Sequence, residues 1–152
     1  MTSTMKVQIS EDMKAAMRKQ EKERLGTIRL ILAALKQREI DERITLSDEQ
    51  IIAILDKMIK QRRESIAQYE AGNRPELAAK EQAEIRVIQE YLPSQLSSDE
   101  LDSLIKATIR EAGAASVRDM GKVMSLLKSK VQGRTDMTLV SNKVKDQLSM
   151  LT

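Results

Sequence analysis

Six basic side chains crowd the C-terminal end of this sequence: Arg118, Lys122, Lys128, Lys130, Arg134 and Lys143. Clustered cations neutralise phosphates and release their counterions, so the chemistry they suit is electrostatic gripping of a polyanion rather than bond making. From Gly113 to Thr152 seven basic residues stand against three acidic ones, a net +4, whereas the whole chain carries +3 and its first 112 residues net −1. The positive excess belongs entirely to the C-terminal end. In a chain that is 32 % charged the competing reading is an ordinary solvated surface, and this asymmetry is what favours a binding role.

Groups able to make or break bonds are scarce. The chain has no histidine and no cysteine. That removes the commonest general base, the Ser-His and Cys-His nucleophiles, thiolate metal sites and disulfides. No base is left to activate a serine. Neither a G-x-x-x-x-G-K-[ST] nor a G-x-G-x-x-G loop occurs among the five scattered glycines, and Gly121-Lys122 is only a Gly-Lys pair within a helical pattern. The acidic pairs Asp41-Glu42, Asp48-Glu49 and Asp99-Glu100 fall at helix starts and ends, where acids are wanted for reasons other than metal binding. Tyr69 and Tyr91 lie on apolar stripes and are expected in the core with their hydroxyls at its rim. No catalytic residue, metal site or cofactor is expected. With no cysteine and no apolar run near the roughly 20 residues of a membrane span, a soluble cytoplasmic protein with no membrane contact is the expectation.

The elements that must position the cations are helices. Aromatic residues make up 1 % of the chain, while Met, Leu, Ile and Ala are plentiful, which favours helix over sheet. Around the basic cluster Val117, Met120, Met124, Leu127 and Val131 recur at three- and four-residue steps and predict one apolar stripe. Arg118, Lys122 and Ser125 fall opposite that stripe, with Lys128 and Lys130 on its flanks. Gly133 is a helix stop and Asp136 a cap for a last helix with Val140, Val144, Leu148 and Leu151 inward. A helical hairpin results, with Lys128, Lys130 and Arg134 near its bend.

Upstream, a first helix is predicted over residues 6–20 with Val7 or Ile9, Met13 and Met17 inward, or starting later with Ser10 as its cap and Glu11-Asp12 in its first turn. A second, over about 22–43, carries the seam Leu25, Ile28, Leu32 and Leu35. Beside that seam Lys22, Arg29, Lys36 and Arg43 repeat every seven residues. This row could track a polyanion, but the favoured reading lays its stems along the edge of a helix contact. Ser47-Asp-Glu-Gln50 has the form of a capping box and starts a third helix to about Ala71. Gly72-Asn-Arg-Pro75 turns into a fourth helix reaching about Leu92. Proline then disfavours helix at Leu92, Ser97 or Ser98 caps a fifth over about 99–112, and Ser116 caps the sixth. The expected architecture is all-α: a four-helix N-terminal unit over 1–92, a linker over 93–97 and a small three-helix C-terminal domain over 98–152.

Three runs carry a resemblance: Met58-Ile-Lys-Gln-Arg-Arg-Glu-Ser-Ile66 through Tyr69-Glu70, Glu90-Tyr-Leu-Pro-Ser-Gln-Leu96, and Met120-Gly-Lys-Val-Met124 with Lys128 to Arg134. In them nearly the whole chain resembles the free-standing YqeY-like family. Residues 97–148 are also similar to the tail of the B subunit of the tRNA-dependent amidotransferase. The chain departs from that pattern at Ser129, where relatives often have proline, and its Val131-Gln-Gly-Arg134 turn belongs to the free-standing proteins. The resemblance implies a two-part helical protein whose C-terminal domain is similar to one that helps hold tRNA. The catalytic, ATP-using part of that B subunit has no counterpart here. The leading expectation is a non-catalytic tRNA-binding or tRNA-enzyme accessory protein, its six cations contacting phosphates. Without aromatics in this region to stack on bases, backbone shape rather than sequence would be recognised. The alternatives are an adaptor that docks on a tRNA-handling enzyme through an exposed apolar groove, and the glutamine-dependent carbon-nitrogen ligase activity that family naming suggests.

Overall fold

The computed structural model describes residues 3–151; residues 1, 2 and 152, at the outer ends of the two expected domains, lie outside them. The regular structure is helical, with no strand among the described residues. In order come α1 (Thr4–Arg18), α2 (Lys22–Glu42), α3 (Asp48–Ala71), α4 (Pro75–Gln89) and α5 (Ser98–Ala112). A 3-10 turn η1 (Val117–Asp119), α6 (Met120–Val131) and α7 (Met137–Ser149) follow. The chain divides into two compact units, one up to Leu92 and one from Pro93 onward. No described helix is long and apolar enough to cross a membrane.

In the first unit, helix starts follow local chemistry. Ser47 accepts a hydrogen bond from the Gln50 backbone N–H while the Gln50 side chain accepts from the Ser47 N–H, so the reciprocal cap read in the sequence forms. Pro75 opens α4 at a position where its missing N–H is no loss. Ile9, Ile28, Ile31, Leu35, Ile51, Leu55, Ile85 and Ile88 are fully or almost fully buried in one cluster. Each such side chain contributes about 1.5–3 kcal/mol relative to leaving it exposed. Ile9 rather than Val7 faces this core, and Met17, expected inward, is 48 % exposed because it turns about 100° away from its buried neighbour Ala16.

Polar links cross the same bundle. Arg62 of α3 donates from Nε to Glu84 at 2.8 Å and lies 3.9 Å from Glu81, both on α4. The Tyr91 hydroxyl, at the rim of the core as expected, donates to Asp12 at 2.5 Å, and burial, with this carboxylate second, pushes the phenol well above its ordinary pKa. Lys6 pairs with Glu39, whose other oxygen accepts from the Leu46 N–H at 3.0 Å. These two hydrogen bonds, Lys6 first, hold the Glu39 carboxyl below the usual range.

The second unit packs α5, α6 and α7 around Leu101, Ile105, Val123, Leu127, Val131, Val140, Val144 and Leu148. A second capping box joins Ser97 and Glu100, and Gly113 ends α5 at φ +66°, a left-handed conformation that strains any residue with a Cβ. Gly133 takes φ +77° after α6, and Asp136 accepts from the Thr138 N–H at 2.9 Å to start α7. Two apolar expectations are corrected. Val117 is 40 % exposed because the chain there forms a 3-10 turn and not the start of α6, so the buried line is Val123, Leu127 and Val131. Leu151 is 55 % exposed because α7 ends at Ser149, two residues before this last position of the expected stripe.

Candidate nucleic-acid interface

The six cations divide into two sets according to whether another part of their unit holds the side chain. Lys130 donates from Nζ to Glu111 of α5 at 2.8 Å. Lys143 of α7 reaches Asp102 at 2.7 Å and the Ser98 hydroxyl at 3.1 Å, both on α5. Arg134 donates from Nε to the Ser94 carbonyl at 3.0 Å, while its own carbonyl accepts from the Leu96 N–H at 2.9 Å. Gln95 adds a bond to the Gly133 carbonyl at 3.2 Å, so segment 94–96 is stitched to the α6–α7 turn. These three cations act as struts inside their unit.

Arg118, Lys122 and Lys128 form the other set. All three are exposed, and none has an ion-pair partner among the described residues. Arg118 lies in η1 and Lys122 in the first turn of α6, with Lys128 about 9 Å further along the axis. At about 100° per residue Lys122 stands opposite the buried line of α6, while Lys128 and Lys130 leave on its two flanks. The structure therefore gathers two cations at one end of α6 and sets the third around the side, rather than lining up six.

Local structure fixes that end. The Asp119 carboxylate accepts from the Ala115 N–H at 2.8 Å and the Ser116 N–H at 3.2 Å. These bonds, ahead of the nearby Lys122 charge, lower its pKa and keep it ionised, so it offsets part of the local positive charge. Gly121 follows in the first turn of α6, and a Cβ built there would meet nothing within 4 Å outside its own helix turn. A helical glycine costs about 0.5–1 kcal/mol relative to alanine, and internal packing gives no reason for it here.

Sequence reasoning passed over Lys106 and Arg110, which are exposed on α5. Lys106 lines a groove of about 350 Å³ with Lys143, but Asp102 and Asp146 share it. The signal was present in the helical pattern of α5, where Lys106 and Arg110 directly follow the buried Ile105 and Ile109. In the first unit Lys22, Arg29, Lys36 and Arg43 are exposed along α2 and, among the described residues, have no ion-pair partner.

Residues 6–148 match the family model described as Yqey-like protein. Three curated relatives bear the name altered inheritance of mitochondria protein 41, mitochondrial. The one from Vanderwaltozyma polyspora is 36 % identical over 106 residues, 68 % of this chain and 57 % of that protein. That from Pyrenophora tritici-repentis is 31 % identical over 142 residues, 91 % and 77 % of the two chains. That from Saccharomyces cerevisiae is 30 % identical over 146 residues, 90 % and 78 %. This chain thus spans little more than half the length of the first relative. Their names place these relatives in mitochondria and overturn the cytoplasmic expectation. A lack of cysteine argues against disulfides and does not choose among reducing compartments.

Proposed function

We propose, from the premise that this chain belongs to the YqeY-like family, that it is a non-catalytic accessory protein whose second unit grips tRNA by its phosphate backbone. The observation that carries the reading is the set Arg118, Lys122 and Lys128, exposed and without ion-pair partners among the described residues, beside a helical glycine with open space at its missing Cβ. A cation needs a free charge to displace counterions from a phosphate. A glycine beside it lets a sugar-phosphate chain approach the helix backbone closely. The resemblance of residues 97–148 to the amidotransferase tail is what selects tRNA among polyanions.

Lys130, Arg134 and Lys143 have a different role in this reading. They hold α5, α6, α7 and segment 94–96 in place, and so present the contact residues without touching the ligand. The footprint is about three phosphates instead of six. With a slope of about 0.7–0.9 per neutralised phosphate, affinity should fall about 20- to 40-fold between roughly 50 and 200 mM salt. Filter binding of bulk tRNA across that range tests it, and a response that is flat with salt, or no binding at the low end, contradicts it.

A further inference from the structure

We propose that the outward face of α2 is a docking surface for an amphipathic helix that carries acidic residues along the flank of its apolar stripe. A surface helix of a globular protein ordinarily presents one apolar face inward and a polar face outward. α2 departs from this. Its inward side supplies Ile28, Ile31 and Leu35 to the core, yet its opposite side carries Gly26, Leu30, Ala33, Gln37 and Ile40. These five step by four, three, four and three residues, the spacing of a helix-packing seam. Leu30 is 48 % exposed and Ile40 60 % exposed, and Ile44 just past the helix end is 36 % exposed.

Three further observations choose the occupant. First, Lys22, Arg29, Lys36 and Arg43 run down one flank of the stripe, exposed and, among the described residues, without an ion-pair partner. A seam with cations on one flank is completed by a helix with anions there, since flanking charges set the choice of partner in helix pairs. Second, on the flank away from that cation row the stripe opens toward α4 into a groove of about 820 Å³ lined by Gly26, Thr27, Ala79, Ala83 and Val87, where Glu23, Glu76 and Glu84 balance Lys22, Arg24 and Lys80. Such a hollow receives inserted side chains, which a flat bilayer surface does not supply. Third, a Cβ at Gly26 would meet nothing within 4 Å outside its own helix turn. The chain's own packing does not call for a glycine in the second turn of α2, whereas close approach of a second helix does. The apolar stripe, with no aromatic side chain to stack on a base, separates this face from an RNA track.

The surface lies in the first unit, so its test is independent of tRNA binding by the second. The probe is a synthetic three-heptad helical peptide with leucine at the seam and glutamate along one flank, labelled and followed by fluorescence anisotropy against the full chain. A twin peptide with lysine for glutamate is the control. The acidic peptide should bind and the basic one should not. Leu30→Asp with Ile40→Asp should weaken the acidic peptide at least about tenfold. Arg29→Glu with Lys36→Glu should reverse the preference, an outcome that misfolding cannot produce. Gly26→Ala should weaken binding while helicity by circular dichroism is kept. Equal binding of both peptides, no binding of the acidic one, or binding indifferent to these variants would overturn the proposal. So would capture by phosphatidylserine vesicles or by tRNA that the same variants abolish, since either would give the face a different occupant.

Discussion

Two basic regions of this molecule look alike on paper and differ in what holds their charges. Of the six C-terminal cations singled out by their spacing, two are paired with acids, Lys130 with Glu111 and Lys143 with Asp102, and Arg134 is held by the Ser94 carbonyl. Along α2 in the first unit, Lys22, Arg29, Lys36 and Arg43 meet no acid among the described residues, although that unit has nearly balanced charge. Net charge therefore identifies the wrong quantity. What matters for a contact is a side chain that no neighbour holds, and among these two groups of cations those are Arg118, Lys122 and Lys128 around α6 and the four along α2.

The contrast between strut and free cation can be pressed hardest at Arg62. Its side chain is 14 % exposed between Glu81 and Glu84, and it also donates to the Met58 carbonyl at 3.2 Å. Arg62→Ala leaves two carboxylates facing each other and should cost about 2–3 kcal/mol in urea unfolding, the upper range for a partly buried pair that loses one member. A cost near zero would erase the distinction. The struts of the second unit are more exposed, so Lys143→Ala should cost only about 0.5–1 kcal/mol, and Lys128→Ala less than about 0.5 kcal/mol.

Glycines sharpen the same comparison with opposite signs. Gly113→Ala forces a Cβ into a left-handed conformation and should destabilise by about 1 kcal/mol. Gly26→Ala and Gly121→Ala should each stabilise by about 0.5–1 kcal/mol, because open space replaces any steric penalty. Thermal unfolding of the three variants reads both signs. The smallest effect is a pH dependence. Because Glu39 titrates lower in the folded protein than its ordinary value of 4.5, its stabilising contribution is present above that pH and is lost as pH falls through the lowered value. Glu39→Gln should flatten the acid limb of the stability profile measured by denaturant titration from pH 7 to about pH 3.

Much of the fold was legible because its signals are local. Ser47, Ser97 and Asp136 cap the helices they were expected to cap, and Gly113 and Gly133 turn where glycine is needed. The misread positions are those where a neighbour decides. Ile31 and Val123 are fully buried although the stripes drawn from spacing left them out, since three-four steps do not fix which residues a packed helix turns inward. Val117 was drawn into a stripe that a 3-10 turn interrupts. The candidate site was legible as a set of residue types but not as a set of contacts. The acids that claim Lys130 and Lys143 lie 19 and 41 residues away in sequence, and no spacing rule reaches that far.

The central claim is that, around α6, the cations without an internal partner make the contact and those with one hold the scaffold. The slope of tRNA affinity against salt, both on logarithmic scales, tests it directly in three proteins: the native chain, the Arg118→Ala, Lys122→Ala, Lys128→Ala triple variant, and the Lys130→Ala, Lys143→Ala double variant. The account predicts a slope of about −2 to −3 for the native chain, a slope near zero for the triple variant and a native-like slope for the double variant. A double variant that flattens the slope while the triple variant leaves it unchanged would contradict it.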